Sequence, residues 1–259
     1  MLNLLHKFIH YEEYLLICFF FVLEQFINNP GFAWKKKGRV FNNVLLKVLM
    51  IVISLFAAKF FAVAIIQINK HQIGLFYLLK LPELIKIIIG VLVIDFAGYW
   101  IHRYTHSNSF LWKLHRIHHS DIEMDASTNW RGHPLEGPIF VVSRIAVAAL
   151  LGIDFPTFGV YVLILVPVAV LSHVNLKFPK WIDKSLGLII LTPNFHKVHH
   201  DDESAFTNSN YGECFIIWDR IFGTFKQKNI EDINYGLQEF QDKKKQSLWY
   251  MLQSPFLNQ

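Results

Sequence analysis

The sequence predicts an all-α protein embedded in a membrane. Hydrophobic residues make up 53% of the 259 residues, and charged residues make up only 17%. A soluble domain carries about 25% charged residues, and the mean hydropathy of +0.31 points in the same direction. Strand patterns are weak. The run from Glu213 to Phe225 fits either a strand or a short apolar helix, and its length does not decide between them.

Four apolar stretches are candidates for membrane-spanning helices. A single helical crossing needs roughly 20 residues, and the second stretch is long enough to cross alone. The fourth is too long for one crossing, and Asp154 and Pro156 interrupt it near its middle, so it predicts a helical hairpin. The four stretches are 14–27, 44–66, 84–101 and 139–171.

Basic residues predict which helix ends face the cytoplasm. Lys35, Lys36, Lys37 and Arg39 lie between the first two stretches, and loops rich in lysine and arginine stay on the cytoplasmic side. The third stretch then returns to the cytoplasm, and the hairpin goes out and back. We therefore expect a multi-pass protein with its histidine motifs on the cytoplasmic face. Basic residues at the cytoplasmic face, where anionic lipid attracts them, account for the net charge of +5, and no nucleic acid partner is needed to explain it.

Three regions follow one another along the chain. Residues 1–101 are expected to form an N-terminal transmembrane anchor. Residues 102–225 are expected to form a histidine-rich catalytic region, which includes the membrane hairpin at about 139–171. Residues 226–259 form a cytoplasmic tail. Within the tail, residues 248–252 fit a short amphipathic helix at the membrane interface, and a loosely packed tail fits equally well.

Ten of the thirteen histidines fall between residues 102 and 200, and eight of them form three tight clusters. Residues i, i+3 and i+4 share one face of a helix, so we expect each cluster to direct two or three imidazoles at one point. The clusters are His102 and His106; His115, His118 and His119; and His196, His199 and His200, with His133 and His173 standing singly between the second and third.

These clusters predict a site for two metal ions. A lone histidine is usually a surface or core residue, which accounts for His6, His10 and His71 but not for the clusters. Imidazole suits zinc, copper, iron and nickel. Eight clustered ligands exceed the four that a tetrahedral zinc takes, and they are about right for two ions.

The donor set favours a redox metal. The zinc-protease pattern H-E-x-x-H and the Glu-x-x-His pairs of soluble di-iron bundles are both absent from the sequence. An all-imidazole site suits a metal that keeps open positions for a small ligand. A site at the ends of the apolar stretches is placed where a long apolar substrate could leave the bilayer and reach the metals. Oxidation of an unactivated C–H bond in such a substrate requires a metal that changes its oxidation state, and zinc does not change its oxidation state.

Two other classes of protein remain as alternatives. A histidine-rich membrane metal transporter would place ionisable residues near the bilayer midplane, whereas these clusters lie at the ends of the apolar stretches. A zinc hydrolase would need a general base, and no glutamate adjoins the histidine pairs, so the base would have to come from elsewhere in the chain.

The histidine motifs resemble those of the fatty acid hydroxylase / sterol desaturase superfamily of membrane-bound di-iron oxygenases. The resemblance covers about residues 90–225 and is highly specific to the superfamily, but only weakly specific to a substrate. Further elements that fit are Asp95, Tyr99, Arg103, Arg131-x-His133-Pro134, His173-x-Asn175, Asn210-Tyr211-Gly212 and the segment 218–225.

The resemblance implies a transmembrane helical stem with a cytoplasmic helical cap that holds the metals. It implies two iron ions as cofactor, dioxygen as co-substrate, and a sterol-like or fatty acyl lipid that is hydroxylated or desaturated. An ether-lipid (alkylglycerol-type) monooxygenase is a close alternative. The chain carries no obvious haem-binding or iron–sulfur-binding region, so a separate small redox protein with its reductase is implied as electron donor.

The resemblance also implies the ligand set. The eight clustered histidines are expected to bind the metals, with His173 as a ninth ligand and His133 as a tenth, although Pro134 also suggests that His133 begins a helix. Some relatives carry another histidine four residues after the position matched to His173. This chain has Lys177 there, so its ligand set is expected to differ from theirs.

Hydrogen-bonded neighbours orient the imidazole ligands of metals, and seven residues are candidates for this role. Asp95 and Tyr99 lie on the same helical stripe as His102 and His106, and an aspartate near the end of an apolar span needs a partner. The other candidates are at least as well explained as helix caps or surface groups. The seven residues are Asp95, Tyr99, Asp121, Asn175, Asp201, Asn210 and Asp219.

Overall fold

The computed structural model describes residues 13–24 and 37–257, and all regular secondary structure within them is helical. The only strand-like pairings among these residues are two isolated bridges, Ile190 with Phe215 and Asp201 with Tyr235. The all-α prediction is therefore confirmed. The run 213–225, which fitted either element, contributes one bridge residue and then a short helix.

Residues 13–24 are helical. The helices that follow are α1 (Lys37–Lys70), α2 (Leu75–Leu79), α3 (Glu83–Ser107), α4 (Ser109–His119), α5 (Glu136–Leu151), α6 (Phe155–His173), α7 (Lys180–Lys184), α8 (Pro193–His199), α9 (Ser204–Thr207), α10 (Ile217–Ile221) and α11 (Leu248–Gln253). Residues 25–27 of the first apolar stretch, and Lys35 and Lys36 of the basic loop, lie outside the described residues.

Among the residues that the structure describes, three helical segments are long and apolar enough to cross a membrane: Lys37–Leu79, Glu83–Ser107 and Phe155–His173. Large apolar side chains cover their outer surfaces; Phe56 is 72% exposed and Phe60 is 71% exposed. Such a surface is unfavourable in water and suits lipid. The predicted stretches 44–66 and 84–101 lie within α1 and α3, and both helices extend beyond the predicted bounds.

The predicted hairpin is formed by α5 and α6, and it turns where the sequence is interrupted. α5 ends at Gly152, whose φ of 77° lies in the left-handed region that favours glycine. Asp154 then caps α6 by accepting a hydrogen bond from the Thr157 amide at 2.9 Å, and Pro156 occupies the first turn. α5 has 16 residues, which is short of a full crossing.

The long helices pack into an apolar stem. Ile65 of α1, Ile94 of α3, Ala148 of α5 and Tyr161 of α6 meet in its buried core. Burial of such side chains contributes roughly 1.5–3 kcal/mol each relative to exposure. This stem fixes the positions of the ends of α3 and α6, which carry His102, His106 and His173.

The remaining chain forms a cap of short helices beside one end of the stem. Its centre is Arg131, which is 1% exposed and donates hydrogen bonds to the Ile117 carbonyl, Ser120 Oγ, Asn43 Oδ1 and Gln246 Oε1. A buried guanidinium is tolerated when its donors are satisfied in this way. These bonds connect α1, α4 and the C-terminal tail.

The C-terminal tail packs against this cap. Phe240 and Met251 are buried with Leu46 of α1 and Ile117 of α4. The amphipathic segment predicted at 248–252 is helical as α11, with Met251 inward and Trp249 69% exposed. The tail is therefore packed against the helix that carries the second histidine motif.

Candidate metal centre

The ends of α3, α4, α6 and α8 bring nine histidines together in two groups. Each histidine offers one ring nitrogen, and within each group these nitrogens lie within 4.8 Å of one another. The five-histidine group consists of His102, His106, His115, His119 and His199, and the four-histidine group consists of His118, His173, His196 and His200.

Each H-x-x-H-H motif divides its histidines between the two groups. In the second motif, His115 and His119 belong to the five-histidine group and His118 belongs to the four-histidine group. In the third motif, His196 and His200 belong to the four-histidine group and His199 belongs to the five-histidine group. Each motif therefore directs two imidazoles at one place, as expected, and the third histidine of each H-x-x-H-H motif lies in the other group. On a helix, i and i+4 are about 40° apart, whereas i+3 and i+4 are about 100° apart, so the i+3 histidine faces the neighbouring group.

The spacing of the ring nitrogens fits metal coordination. The Nε2 atoms of His102 and His119 lie 3.1 and 3.2 Å from His115 Nε2. In the other group, His173 Nε2 lies 3.2 Å from His118 Nε2 and 3.1 Å from His196 Nε2. Nitrogen ligands at about 2.1 Å from one metal ion are roughly 3.0–3.4 Å apart when they are neighbours in its coordination shell.

Two buried nitrogens support this interpretation. Nε2 of His106 and Nε2 of His199 have no hydrogen-bond partner among the described residues, although both are inaccessible to solvent. A buried polar atom without a partner is costly, and a metal ion in the five-histidine group would satisfy both. The residues present therefore fit two metal ions.

Hydrogen bonds on the opposite ring nitrogen orient these imidazoles. The Nδ1 atoms of His102, His118, His173 and His199 lie 2.6–2.8 Å from backbone carbonyl oxygens, those of Tyr211, Arg131, Ala169 and Ser209 respectively. Each of these rings therefore carries its proton on Nδ1 and leaves Nε2 free to bind a metal.

Two further rings of the five-histidine group are oriented by side chains. His115 Nδ1 lies 2.5 Å from Glu136 Oε1, and His106 Nδ1 lies 3.3 Å from Asn208 Oδ1. The Glu136 side chain is only 10% exposed and sits in the first turn of α5. A carboxylate that accepts from Nδ1 makes the imidazole a stronger donor to a metal.

Burial keeps the histidines of the cap neutral. It lowers the pKa of His115 to about 3 and that of His118 to about 4, and in His118 the nearby His115 lowers it further. The pKa values of His119, His196, His199 and His200 are also lowered well below 6.5, first by burial and then by the other imidazoles. Neutral imidazole is the form that binds metals.

His133 lies outside both groups. Its Nε2 is 3.2 Å from the Leu252 carbonyl oxygen, and its Nδ1 accepts a hydrogen bond from the Leu135 amide at 3.2 Å. Both nitrogens are therefore engaged in holding the start of α5 and the C-terminal tail. The structure brings together nine of the ten histidines that the sequence singled out.

The seven residues expected to orient the imidazoles lie one layer further out. Asp95 accepts from Trp218 Nε1 at 2.8 Å, and Asp219 accepts from the amides of Tyr211 and Gly212 at 2.8 Å each. They hold the loop whose Tyr211 carbonyl meets His102. The others bond as follows: Tyr99 to Thr224, Asp121 to Arg39, Asn175 to Glu24 through its amide, Asp201 to Lys228, and Asn210 to Phe195 and Lys226.

Sequence reasoning missed Glu136, Asn208 and the backbone carbonyls that meet the rings. The carbonyls carry no sequence signal at all. Glu136 lies three residues after His133, close to an element already singled out, and an acidic residue at the start of an apolar helix was a signal that could have identified it.

A cavity of about 410 Å³ adjoins both histidine groups. His102 and His115 of one group and His118, His173 and His196 of the other line it. Its remaining wall comes mainly from α1, α5 and α6 and is mostly apolar or small, with Met50, Phe140 and Leu165 among its residues. The wall also includes the ion pairs Lys47–Glu13 and Arg144–Glu213. An apolar cavity between membrane helices that reaches two metal-binding groups is suited to a lipid chain.

Residues 87–224 match the fatty acid hydroxylase family. This match includes all nine clustered histidines and more than half of the chain, so the protein belongs to the fatty acid hydroxylase family. The family agrees with the superfamily that the histidine motifs resemble. No solved structure matches the chain.

Several characterised proteins are similar to this chain. Ornithine lipid hydroxylase OlsE from Rhizobium tropici is 30% identical over 144 residues, which are 56% of this chain and 43% of that protein. Human alkylglycerol monooxygenase is 34% identical over 151 residues, 56% of this chain and 31% of its own length. Very-long-chain aldehyde decarbonylase GL1-9 of Oryza sativa subsp. indica is 31% identical over 149 residues, 56% of each chain. The match thus spans 31% to 56% of the length of these relatives.

Proposed function

We propose that this protein is a membrane oxidoreductase that uses two irons and dioxygen to hydroxylate or desaturate a membrane lipid. The observation that carries this proposal is the juxtaposition of two convergent all-imidazole groups with an apolar cavity between membrane helices. Membership of the fatty acid hydroxylase family supports the same reaction class.

The two histidine groups are the proposed iron ligands, and His133 is left out of the set. Bound there, two irons would supply the redox chemistry that activates dioxygen for attack on an unactivated C–H bond. Five imidazoles on one side and four on the other leave room for a small ligand in a six-coordinate shell. The donors are neutral, so the site carries the full positive charge of its metals.

The chain's own residues would hold and orient the substrate. Apolar side chains such as Met50, Phe140 and Leu165 line the cavity and would exclude water from the lipid chain. His118, His173 and His196 lie on the same wall. A carbon placed against these rings would be close to the four-histidine group, which contributes more of its members to the cavity.

The electrons must come from outside the described residues, and we propose a separate redox protein with its reductase as donor. We also propose that the histidine groups face the cytoplasm. The basic residues Lys37 and Arg39 at the start of α1 support this orientation. Labelling of a cysteine introduced at Lys244, in the tail, from outside intact cells would contradict it.

An ether lipid is the second candidate substrate. Alkylglycerol monooxygenases of four animals are among the similar proteins, and the human enzyme is 34% identical over the matched region. Hydroxylation of the carbon next to an ether oxygen would use the same site. The two candidates differ in product, because an ether so hydroxylated breaks down to an aldehyde and an alcohol.

The test is a comparison of lipids from cells that express the wild type or the His199→Ala variant under ¹⁸O-labelled dioxygen. A hydroxylase gives lipids that contain labelled oxygen, a desaturase gives lipids with less hydrogen, and an ether monooxygenase gives labelled aldehyde. The variant should give none of these at equal protein level. Identical lipids from both strains across membrane extracts would contradict the proposal.

A further inference from the structure

A charged pair lies in the wall of the cavity on the membrane side of the histidines. Arg144 Nη2 of α5 lies 3.2 Å from Glu213 Oε2, and both side chains line the cavity. Arg144 is eight residues beyond Glu136, which contacts His115. At 1.5 Å per residue, the Arg144 Cα is about 12 Å further along α5 toward the membrane interior.

The structure holds this pair in place from behind. Tyr161 of α6, which does not line the cavity, donates a hydrogen bond from its hydroxyl to Glu213 Oε2 at 2.8 Å. On the other side, a side chain at Gly98 of α3 would overlap the Glu213 carboxylate, so the glycine gives that carboxylate its space. α6 and α3 therefore define the position of Glu213, which in turn holds the guanidinium of Arg144.

Most of the hydrogen-bonding capacity of Arg144 is unused. A guanidinium has five N–H donors, yet among the described residues its side-chain hydrogen bonds reach only Glu213, through Nη2, and Tyr161. The side chain is 17% exposed, and the guanidinium carbon lies 5.7 Å from the ring centre of Phe140, another cavity residue. The N–H groups of Arg144 that lack a partner thus belong to a side chain that lines the cavity.

Stabilisation of the helix packing alone does not account for the Arg144–Glu213 ion pair. Charged groups at membrane depth are costly, and those that persist usually serve a ligand or a pathway. An ion pair that served only to connect helices would also be strongest if the guanidinium bound the carboxylate through two parallel N–H···O hydrogen bonds. Here the pair is electrically balanced, but guanidinium donors of a residue that lines the cavity stay without a partner among the described residues.

We propose that Arg144, held by Glu213, recognises an uncharged oxygen of the lipid substrate, such as an ether, ester or hydroxyl oxygen. Glu213 neutralises the guanidinium, so the pair would attract neither a free anion nor a cation strongly. A neutral oxygen can accept the unused N–H groups without any further charge entering the membrane. The inference rests on the proposed function in one respect, namely that the cavity takes a lipid.

The experiment measures binding without turnover. Purified protein in detergent micelles is immobilised, and the retention of radiolabelled 1-O-hexadecylglycerol is compared with that of hexadecane, which has the same chain and no oxygen. The wild type should bind the oxygen-bearing lipid tenfold to a hundredfold more tightly, the range for hydrogen bonds to a charged donor. Arg144→Lys keeps the charge but loses the planar fork, and it should abolish most of that preference while hexadecane binding stays unchanged.

Arg220→Lys is the matched control. Arg220 donates to the Gly187 carbonyl at 2.7 Å and does not line the cavity, so this change should preserve the lipid preference. Should Arg144→Lys fail to fold, the double variant Arg144→Leu with Glu213→Gln, which removes both charges together, gives the same test. Survival of the preference in either Arg144 variant would overturn the inference.

The outcomes separate this inference from the proposed function. Equal binding of the two lipids by the wild type contradicts the role of Arg144 alone. Failure of the wild type to bind either lipid contradicts the lipid substrate and the inference with it. Absence of iron or of oxidised lipid, with the preference intact, contradicts only the oxygenase reaction.

Discussion

The two histidine groups differ in number, in their relation to the cavity and in how their rings are held. The four-histidine group presents three of its four members to the cavity, His118, His173 and His196, whereas the five-histidine group presents only two of its five. Side chains as well as carbonyls orient the rings of the larger group, through Glu136 and Asn208. In the smaller group the rings meet the carbonyls of Arg131 and Ala169, and the side chain on a ring is the Ser172 hydroxyl, 3.2 Å from His173 Nδ1, rather than a carboxylate.

This difference suggests a division of roles between two sites that share the same sequence motifs. The group with fewer ligands and more cavity contact is better placed for the substrate. The group with more ligands, including one backed by a carboxylate, is better placed to hold its metal firmly.

The largest effect is expected from two alanine substitutions that lie three residues apart. His199→Ala should remove the metal of the five-histidine group and His196→Ala that of the four-histidine group, because the motif divides its members between the groups. Each variant should retain about one iron per chain and lose activity by at least a hundredfold. Iron analysis combined with Mössbauer spectroscopy of ⁵⁷Fe-loaded protein would show a different remaining iron in each. The same residual spectrum in both variants would break the division into two groups.

The second prediction concerns the carboxylate on the larger group. Glu136→Gln retains an oxygen for His115 Nδ1–H but removes the charge, so metal affinity of the five-histidine group or activity should fall tenfold to a hundredfold. Asn208→Ala is the control on the same group, and its longer contact of 3.3 Å to His106 predicts a smaller loss. Titration with increasing concentrations of an iron chelator measures the iron affinity of both variants. A larger loss for Asn208→Ala would contradict the role given to Glu136.

A smaller effect is expected from Asp219, which acts through the Tyr211 loop. Asp219→Asn replaces one oxygen that accepts a backbone amide with a donor, and should destabilise the protein by about 1–3 kcal/mol. Because the Tyr211 carbonyl meets His102, iron should be released more readily from the five-histidine group than from the other. Thermal unfolding in detergent and chelator kinetics measure the two effects. Equal release from both groups would show that Asp219 serves the fold alone.

The smallest effect is expected from His133→Ala. Both ring nitrogens bond within the cap, so iron content should stay at the wild-type value and stability should fall by about 0.5–1.5 kcal/mol. Iron analysis and thermal unfolding test this directly. Loss of one iron would restore His133 to the ligand set and contradict the hydrogen bonding described for it.

The long helices and most of the site were predictable because their signals are strong and local. Apolar runs located α1, α3 and the α5–α6 hairpin, and histidine spacing identified all nine members of the two groups. The division of the two H-x-x-H-H motifs between the groups was not predicted, because i+3 and i+4 lie on one side of a helix but are about 100° apart. A rule that i and i+4 share a point while i+3 faces another would have anticipated it.

The groups that orient the rings were much less predictable. Four of the oriented imidazoles bond to backbone carbonyls, which every residue possesses, and which carbonyl reaches a ring depends on the path of the loop. Glu136 lies 21 residues from His115 in sequence and meets it only because α5 packs beside the end of α4. Asp95 and Asp219 were singled out for their chemistry, and they lie behind the loop rather than on the rings.

The most direct test of the central claim is the number and kind of metal ions in detergent-purified wild-type protein reconstituted anaerobically with ferrous iron. Inductively coupled plasma mass spectrometry on protein of known concentration would measure iron and zinc together. About two irons per chain, lost in part by His196→Ala and His199→Ala, is the predicted result. Zinc that persists after reconstitution, or a single iron per chain, would contradict the assignment of two redox-active iron sites.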